Sequence, residues 1–411
     1  LPVLLLPWSS CWSNASAWIR SKQAWNGTSP EKTDLTYRRI RPDHPHDSRT
    51  RAAAIGCRGL LRTFLLIFTF VLPCSISLQA TVTLPAGPEQ PEYGPGGRDY
   101  KHAGFRISQI GAYEERFILY EPAKPAPASA PVILFLHGWL ASDPGYYLGW
   151  IEHLCRRGNI VVFPVYQGSG DHLSNYSTNA VRSMKEALRV LYGGSHIEPD
   201  RDRFGIIGHE CGGVIAANIA ASWKYFKLPQ PKAVLSLHPS RQGGICANLN
   251  LDLYDLSGIR PETLFLVAVG EEDDEAIQET ARELFYTADS VPASDKNFIT
   301  FLSDIRGTPA LVADSASTYA PLEPRFERFI EQRRWEYIKL MRQTRLSRFI
   351  RCRGIDAMDW QGSFRLFDSL CTAAWTGLDR RSVLGDGESV RFMGLWSDGR
   401  RLNGLLATDR P

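Results

Sequence analysis

The chain has 411 residues, a formal net charge of +3, and apolar and charged fractions of 44% and 22%. That length holds one large α/β domain with extra segments or two medium domains, and the composition is that of a globular protein. So small a net charge, with no DNA- or RNA-binding motif, excludes a protein built around nucleic acid.

Residues 1–57 begin ahead of the first methionine, Met184, and carry Trp8, Trp12, Trp18 and Trp25 with neither a strand nor a helix period. They are expected to be a disordered or untranslated leader. Residues 58–80, "RGLLRTFLLIFTFVLPCSISLQA", place Arg58 and Arg62 before a short apolar run and end on small residues at Ala80. This is the pattern of a secretory signal, and the run is too short for a comfortable membrane span. Export to the periplasm or the medium is expected, with membrane anchoring if the segment stays uncleaved. Residues 81–104, rich in Pro and Gly, read as a flexible lead-in.

From there strands and helices alternate. Arg116–Tyr120, Val132–Leu136, Ile160–Phe163, Gly205–Ile207, Ala233–Leu237, Leu264–Val269 and Phe298–Phe301 read as short apolar strands. Tyr146–Arg157, Asn179–Tyr192, Cys211–Trp223 and Glu275–Leu284 read as helices. Such alternation predicts a mostly parallel sheet covered on both faces, an α/β protein. The core would run over 105–312, and 313–411 would pack on it as an elaboration. That elaboration holds the Arg-rich stretch 324–353, a helix over Ala357–Trp375 with Phe364, Phe367, Leu370 and Ala374 on one face, and a hairpin around Asp398-Gly399. The 324–353 stretch reads as a solvated helix laced with ion pairs or as a peripheral membrane contact. Beyond residue 80 the cysteines are Cys155, Cys211, Cys246, Cys352 and Cys371, an odd set in which Cys352 and Cys371 are candidates for a bridge. None has zinc-ligand spacing, so neither a metal nor another cofactor is expected.

The stretch "RFGIIGHECGGVIAANIA" (203–220) reads as a strand, a Gly-flanked turn and a small-residue helix. That is the form of a nucleophile elbow, G-x-S-x-G, but the frame here is Gly208-His209-Glu210-Cys211-Gly212. Three further motifs stand in register with it: "VILFLHGW" (132–139), "LFLVAVGEEDD" (264–274) and "LSDIRGTPALVAD" (302–314). Together they resemble the α/β-hydrolase superfamily, nearest to its dienelactone-hydrolase-like and chlorophyllase-like esterases. The resemblance implies an α/β-hydrolase fold with a helical C-terminal elaboration. It assigns oxyanion-hole N–H donors to Trp139 and Cys211 and the triad acid to Asp273, with Asp274 as competitor.

At two corners the sequence departs from that pattern. Glu210 fills the nucleophile slot, and Arg306 fills the slot expected to hold histidine. None of the nine histidines follows Asp273 in the chain, and arginine stays protonated and cannot serve as a general base. A carboxylate nucleophile would still need a base to release its ester. Cys211 is one residue past the nucleophile slot, His209 and His137 read as packing or hydrogen-bonding residues, and His238 follows a strand on the wrong side of the acid. The expectation is a Glu210–Arg306–Asp273 ion network filling a disused site, with the Glu210 carboxylate reaching into the oxyanion hole. The function expected is that of an exported hydrolase-like protein that binds an ester- or lipid-like small molecule without turning it over. An active carboxylesterase with a displaced nucleophile or base, and a structural or docking protein, are the alternatives.

Overall fold

The computed structural model describes residues 83–112, 115–168, 172–243, 246–323 and 354–411. The leader, the 58–80 segment and the Arg-rich stretch 324–353 lie outside the described residues, as does Cys352. Among the described residues no helix is long and apolar enough to cross a membrane.

A nine-stranded sheet forms the centre. Its strands are β1 (Gly104–Ile110), β2 (Phe117–Ala123), β3 (Ser129–Leu136), β4 (Ile160–Pro164), β5 (Glu198–His209), β6 (Ala233–Leu237), β7 (Leu264–Gly270), β8 (Lys296–Phe301) and β9 (Leu406–Thr408). Their order across the sheet is β1-β2-β4-β3-β5-β6-β7-β8-β9. Strands β4, β3, β5, β6, β7 and β8 run parallel, and β1, β2 and β9 are antiparallel to their neighbours. This α/β architecture with a mostly parallel sheet is compatible with the resemblance drawn from the sequence.

The apolar runs explain the layering. Side chains alternate between the two faces of a strand, and in a covered parallel sheet both faces are apolar. Ile133, Phe135, Val161 and Phe163 join one core with Trp150 of α1 (Leu148–Arg156) and Phe364 and Phe367 of α5 (Phe364–Thr376). Val132, Leu134, Leu136 and Val162 join the other core. They meet Met184 of α2 (Tyr176–Leu191), Ile215 of α3 (Cys211–Phe226) and Leu284 of α4 (Glu275–Thr287). Phe364 stacks on the fully buried Trp150 at 5.3 Å between ring centres. Truncating that tryptophan to alanine would cost about 3–5 kcal/mol on this packing.

Three details differ from the sequence reading. Strand β1 was not anticipated; its "GFRISQI" mixes polar and apolar residues, as suits an edge strand with a wet side. The Pro/Gly-rich lead-in is tied to the fold, with the Gly96 N–H donating to the buried Asp368 carboxylate at 2.8 Å. The helix over Ala357–Trp375 divides into a π-helical turn (Met358–Ser363) and α5, which stops at a left-handed Gly377. Among the described residues Cys371 is a buried thiol with no disulfide partner, and Cys352, the candidate for a bridge to it, lies outside them. Around Asp398-Gly399 the chain turns tightly, bridging Leu395 to Arg401, and β9 then adds an edge to the sheet beside β8.

Candidate active site

The C-terminal ends of the parallel strands converge where ligands bind in open α/β sheets, and the elbow lies there. Strand β5 ends at His209 and α3 starts at Cys211, so Glu210 alone makes the turn, with φ 50° and ψ −118°. A residue with a side chain held in such a region costs about 1–3 kcal/mol. Three backbone bonds hold it: Glu210 N–H to Leu237 O, and the Gly213 and Ser240 N–H groups to Glu210 O, at 2.9–3.1 Å.

The Glu210 side chain is buried at this turn. Its Oε2 accepts from the Trp139 backbone N–H at 2.8 Å, and its Oε1 accepts from Ser315 Oγ at 3.3 Å. Gly138 makes the approach feasible, since a Cβ there would stand 2.6 Å from Oε2. Of the two anticipated oxyanion donors, the Trp139 N–H is thus engaged by the protein itself, and Cys211 opens α3 beside it. The Cys211 thiol turns inward to Gln167 Nε2 at 3.0 Å and Tyr166 Oη at 3.6 Å, and burial pushes its pKa well up. It is a buried packing group, not an attacking thiolate.

Asp273 has a histidine partner after all. His238 follows β6, and its Nδ1 lies 2.5 Å from Asp273 Oδ2, both side chains being 1% exposed. The same oxygen accepts the Gly270 N–H at 2.7 Å. A carboxylate accepts, so the Nδ1–H donates and Nε2 is the ring nitrogen that carries the lone pair when the ring is neutral. Burial works against the charged imidazole. The Asp273 carboxylate, with Asp314 and Glu210 adding to its field, outweighs burial and raises the His238 pKa above its ordinary value. The neighbouring Asp274 is a helix cap, accepting the Ile277 N–H of α4 at 2.8 Å.

The expected Glu210–Arg306–Asp273 network is not formed. Arg306 sits exposed on its loop, and among the described residues its guanidinium pairs with neither carboxylate. The loop is pulled outward by its neighbours. Asp304 accepts the Trp396 indole N–H and the Asn403 N–H through Oδ2, each at 3.0 Å, and the Arg306 N–H through Oδ1 at 3.1 Å. Thr308 N–H donates to Pro85 O on the other side. These contacts tie the loop to the lead-in and to the C-terminal tail, with Arg306 exposed.

Two other histidines near the turn, His209 and His137, make contacts within the protein. Tyr147 Oη accepts the Gly138 N–H and meets His209 Nδ1 at 2.8 Å, and His209 Nε2–H donates to Ser315 O at 2.9 Å. His137 lies flat on Tyr166 and donates through Nδ1 to Gly138 O; burial lowers its pKa to about 4, so it is neutral. Sequence reasoning set His238 aside for its place before the acid in the chain, and missed Ser315 and Tyr147. His238 carried a readable signal, a histidine immediately after an apolar strand. No protein-family model matches the chain, and no curated protein matches it significantly.

Proposed function

We propose that this chain is an α/β-hydrolase-like protein in which serine-type acyl transfer is closed and the former active site holds an ester- or lipid-like small molecule. One observation carries this reading: the Glu210 carboxylate sits on the Trp139 N–H at 2.8 Å. Acyl transfer needs a nucleophile at residue 210 and an open donor for the developing oxyanion. Losing one such donor alone slows acyl transfer by roughly 10²–10³, and a resident carboxylate also repels the oxyanion. The test incubates residues 81–411 with short-chain p-nitrophenyl esters and a fluorophosphonate. Ester binding without turnover or adduct is expected; turnover or a serine adduct would overturn the reading.

His238–Asp273 favours a second reading, a carboxylesterase whose base has moved to the end of β6. There, His238 Nε2 takes a proton from water as the water oxygen attacks the ester carbonyl. The departing alkoxide takes that proton back, giving acid and alcohol. Turnover that disappears in both His238→Ala and Asp273→Asn would select this reading over the first. Export rests on the 58–80 pattern, and finding the mature chain only in the cytoplasm would remove it.

A further inference from the structure

A second site lies at the opposite edge of the sheet. A cavity of about 320 Å³ opens at the N-terminal ends of β3 and β4, between the end of α1 and one side of α5. That volume is in the range of small-molecule sites. Phe367 and Trp375 give it aromatic walls, and Asp368, His102 and Asn159 bring polar groups to it.

Each polar group is held so that an acceptor remains. Asp368 is 7% exposed, and its Oδ2 takes the Gly96 N–H at 2.8 Å, His153 Nε2–H at 2.9 Å and Arg157 Nε at 3.1 Å. Gln90 Nε2 donates to Tyr100 Oη, which meets His153 Nδ1 at 3.2 Å, so the histidine proton is directed to Asp368. Asp368 Oδ1 accepts no hydrogen bond from the described residues. His102 Nδ1 faces the Pro125 carbonyl at 2.5 Å and must donate, leaving Nε2 as an acceptor. Asn159 spends its Nδ2 on Leu154 O at 2.9 Å, leaving its Oδ1.

Arg157 is shared between Asp99 and Asp368 and Arg203 is matched by Asp200, so with Lys101 at the rim these charges balance, and Asp368 is the one carboxylate of the lining. Burial pushes the Asp368 pKa up, but His153, Arg157 and the Gly96 N–H together bring it below the ordinary carboxylate value, so it is ionised at neutral pH. Lys101 stands at the exposed rim, where water screens it. An ammonium group offers three donors and no acceptor, and aromatic faces attract cations. We propose that this cavity binds a small primary arylalkylamine, its ammonium on Asp368, His102 and Asn159 and its ring between Phe367 and Trp375.

The test is calorimetric titration of the full chain with phenethylamine, tyramine and tryptamine, with phenethyl alcohol and 3-phenylpropionate as controls. Saturable binding of at least one amine is expected, at least tenfold tighter than either control. Asp368→Asn should weaken it at least tenfold. Because that change also touches the Gly96 and His153 contacts, Thr372→Phe, which fills the cavity and leaves the Asp368 carboxylate in place, should do the same in a chain with an unchanged melting profile. No saturable amine binding, equal binding of the alcohol, tighter binding of the carboxylate, or full binding by a folded Thr372→Phe chain would each overturn the proposal.

Discussion

Asp273→Ala would remove both halves of a buried arrangement at once. Its Oδ2 serves two donors, His238 Nδ1–H at 2.5 Å and the Gly270 N–H at 2.7 Å. Each donor left buried without a partner costs about 1–3 kcal/mol, so the loss should be about 3–5 kcal/mol, as for breaking a buried pair. The Gly270 share is independent of the histidine, which a double-mutant cycle with His238→Ala can separate. In the His238→Ala background Asp273→Ala should cost only about 1–2 kcal/mol, leaving a coupling of about 2 kcal/mol within the range for contacting residues. Urea unfolding of the four proteins measures it. The pH dependence has a definite sign. Because the folded His238 pKa is raised, its stabilisation is complete below the unfolded value of about 6.5 and is lost as pH rises through the folded value. A coupling near zero at pH 6, or one that grows toward high pH, would refute the dyad.

Other changes should be read just as clearly. Arg306→Ala should change stability by no more than about 0.5 kcal/mol, since its side chain is exposed and unpaired with Glu210 or Asp273; a larger loss in unfolding experiments would restore the ion network. Cys211 should resist iodoacetamide in the folded chain and react only on unfolding, as peptide mass mapping would reveal, because burial raises its pKa. Gly212→Ala should destabilise by about 1–3 kcal/mol in thermal melts. A Cβ there would stand 2.3 Å from the Leu136 carbonyl oxygen, and backbone on both sides cannot yield.

The central sheet was legible because its strands are short apolar runs buried on both faces; Ala233–Leu237 was placed to the residue. The elbow was legible from small residues on either side of one turn, as Gly212 against Leu136 shows. The partner of Asp273 was not. Linear order placed the histidine after the acid, whereas what matters physically is which loops reach the same edge of the sheet, and β6 ends beside β7. The fate of Arg306 was equally hidden, because it is fixed by Trp396 and Asn403, almost a hundred positions away, through the Asp304 carboxylate. Strand β1 escaped notice because an edge strand need not alternate cleanly.

The contact on which the closed site depends is the Glu210 carboxylate on the Trp139 N–H. Backbone ¹⁵N labelling of tryptophan gives at most 11 amide signals, and hydrogen exchange of the Trp139 signal, assigned by substitution of residue 139, tests the contact directly. The Trp139 amide should exchange slowly in the native chain and much faster in Glu210→Ala, with the other tryptophan amides unchanged. A Trp139 amide that exchanges at the same rate in both proteins would mean that the carboxylate does not fill the oxyanion position.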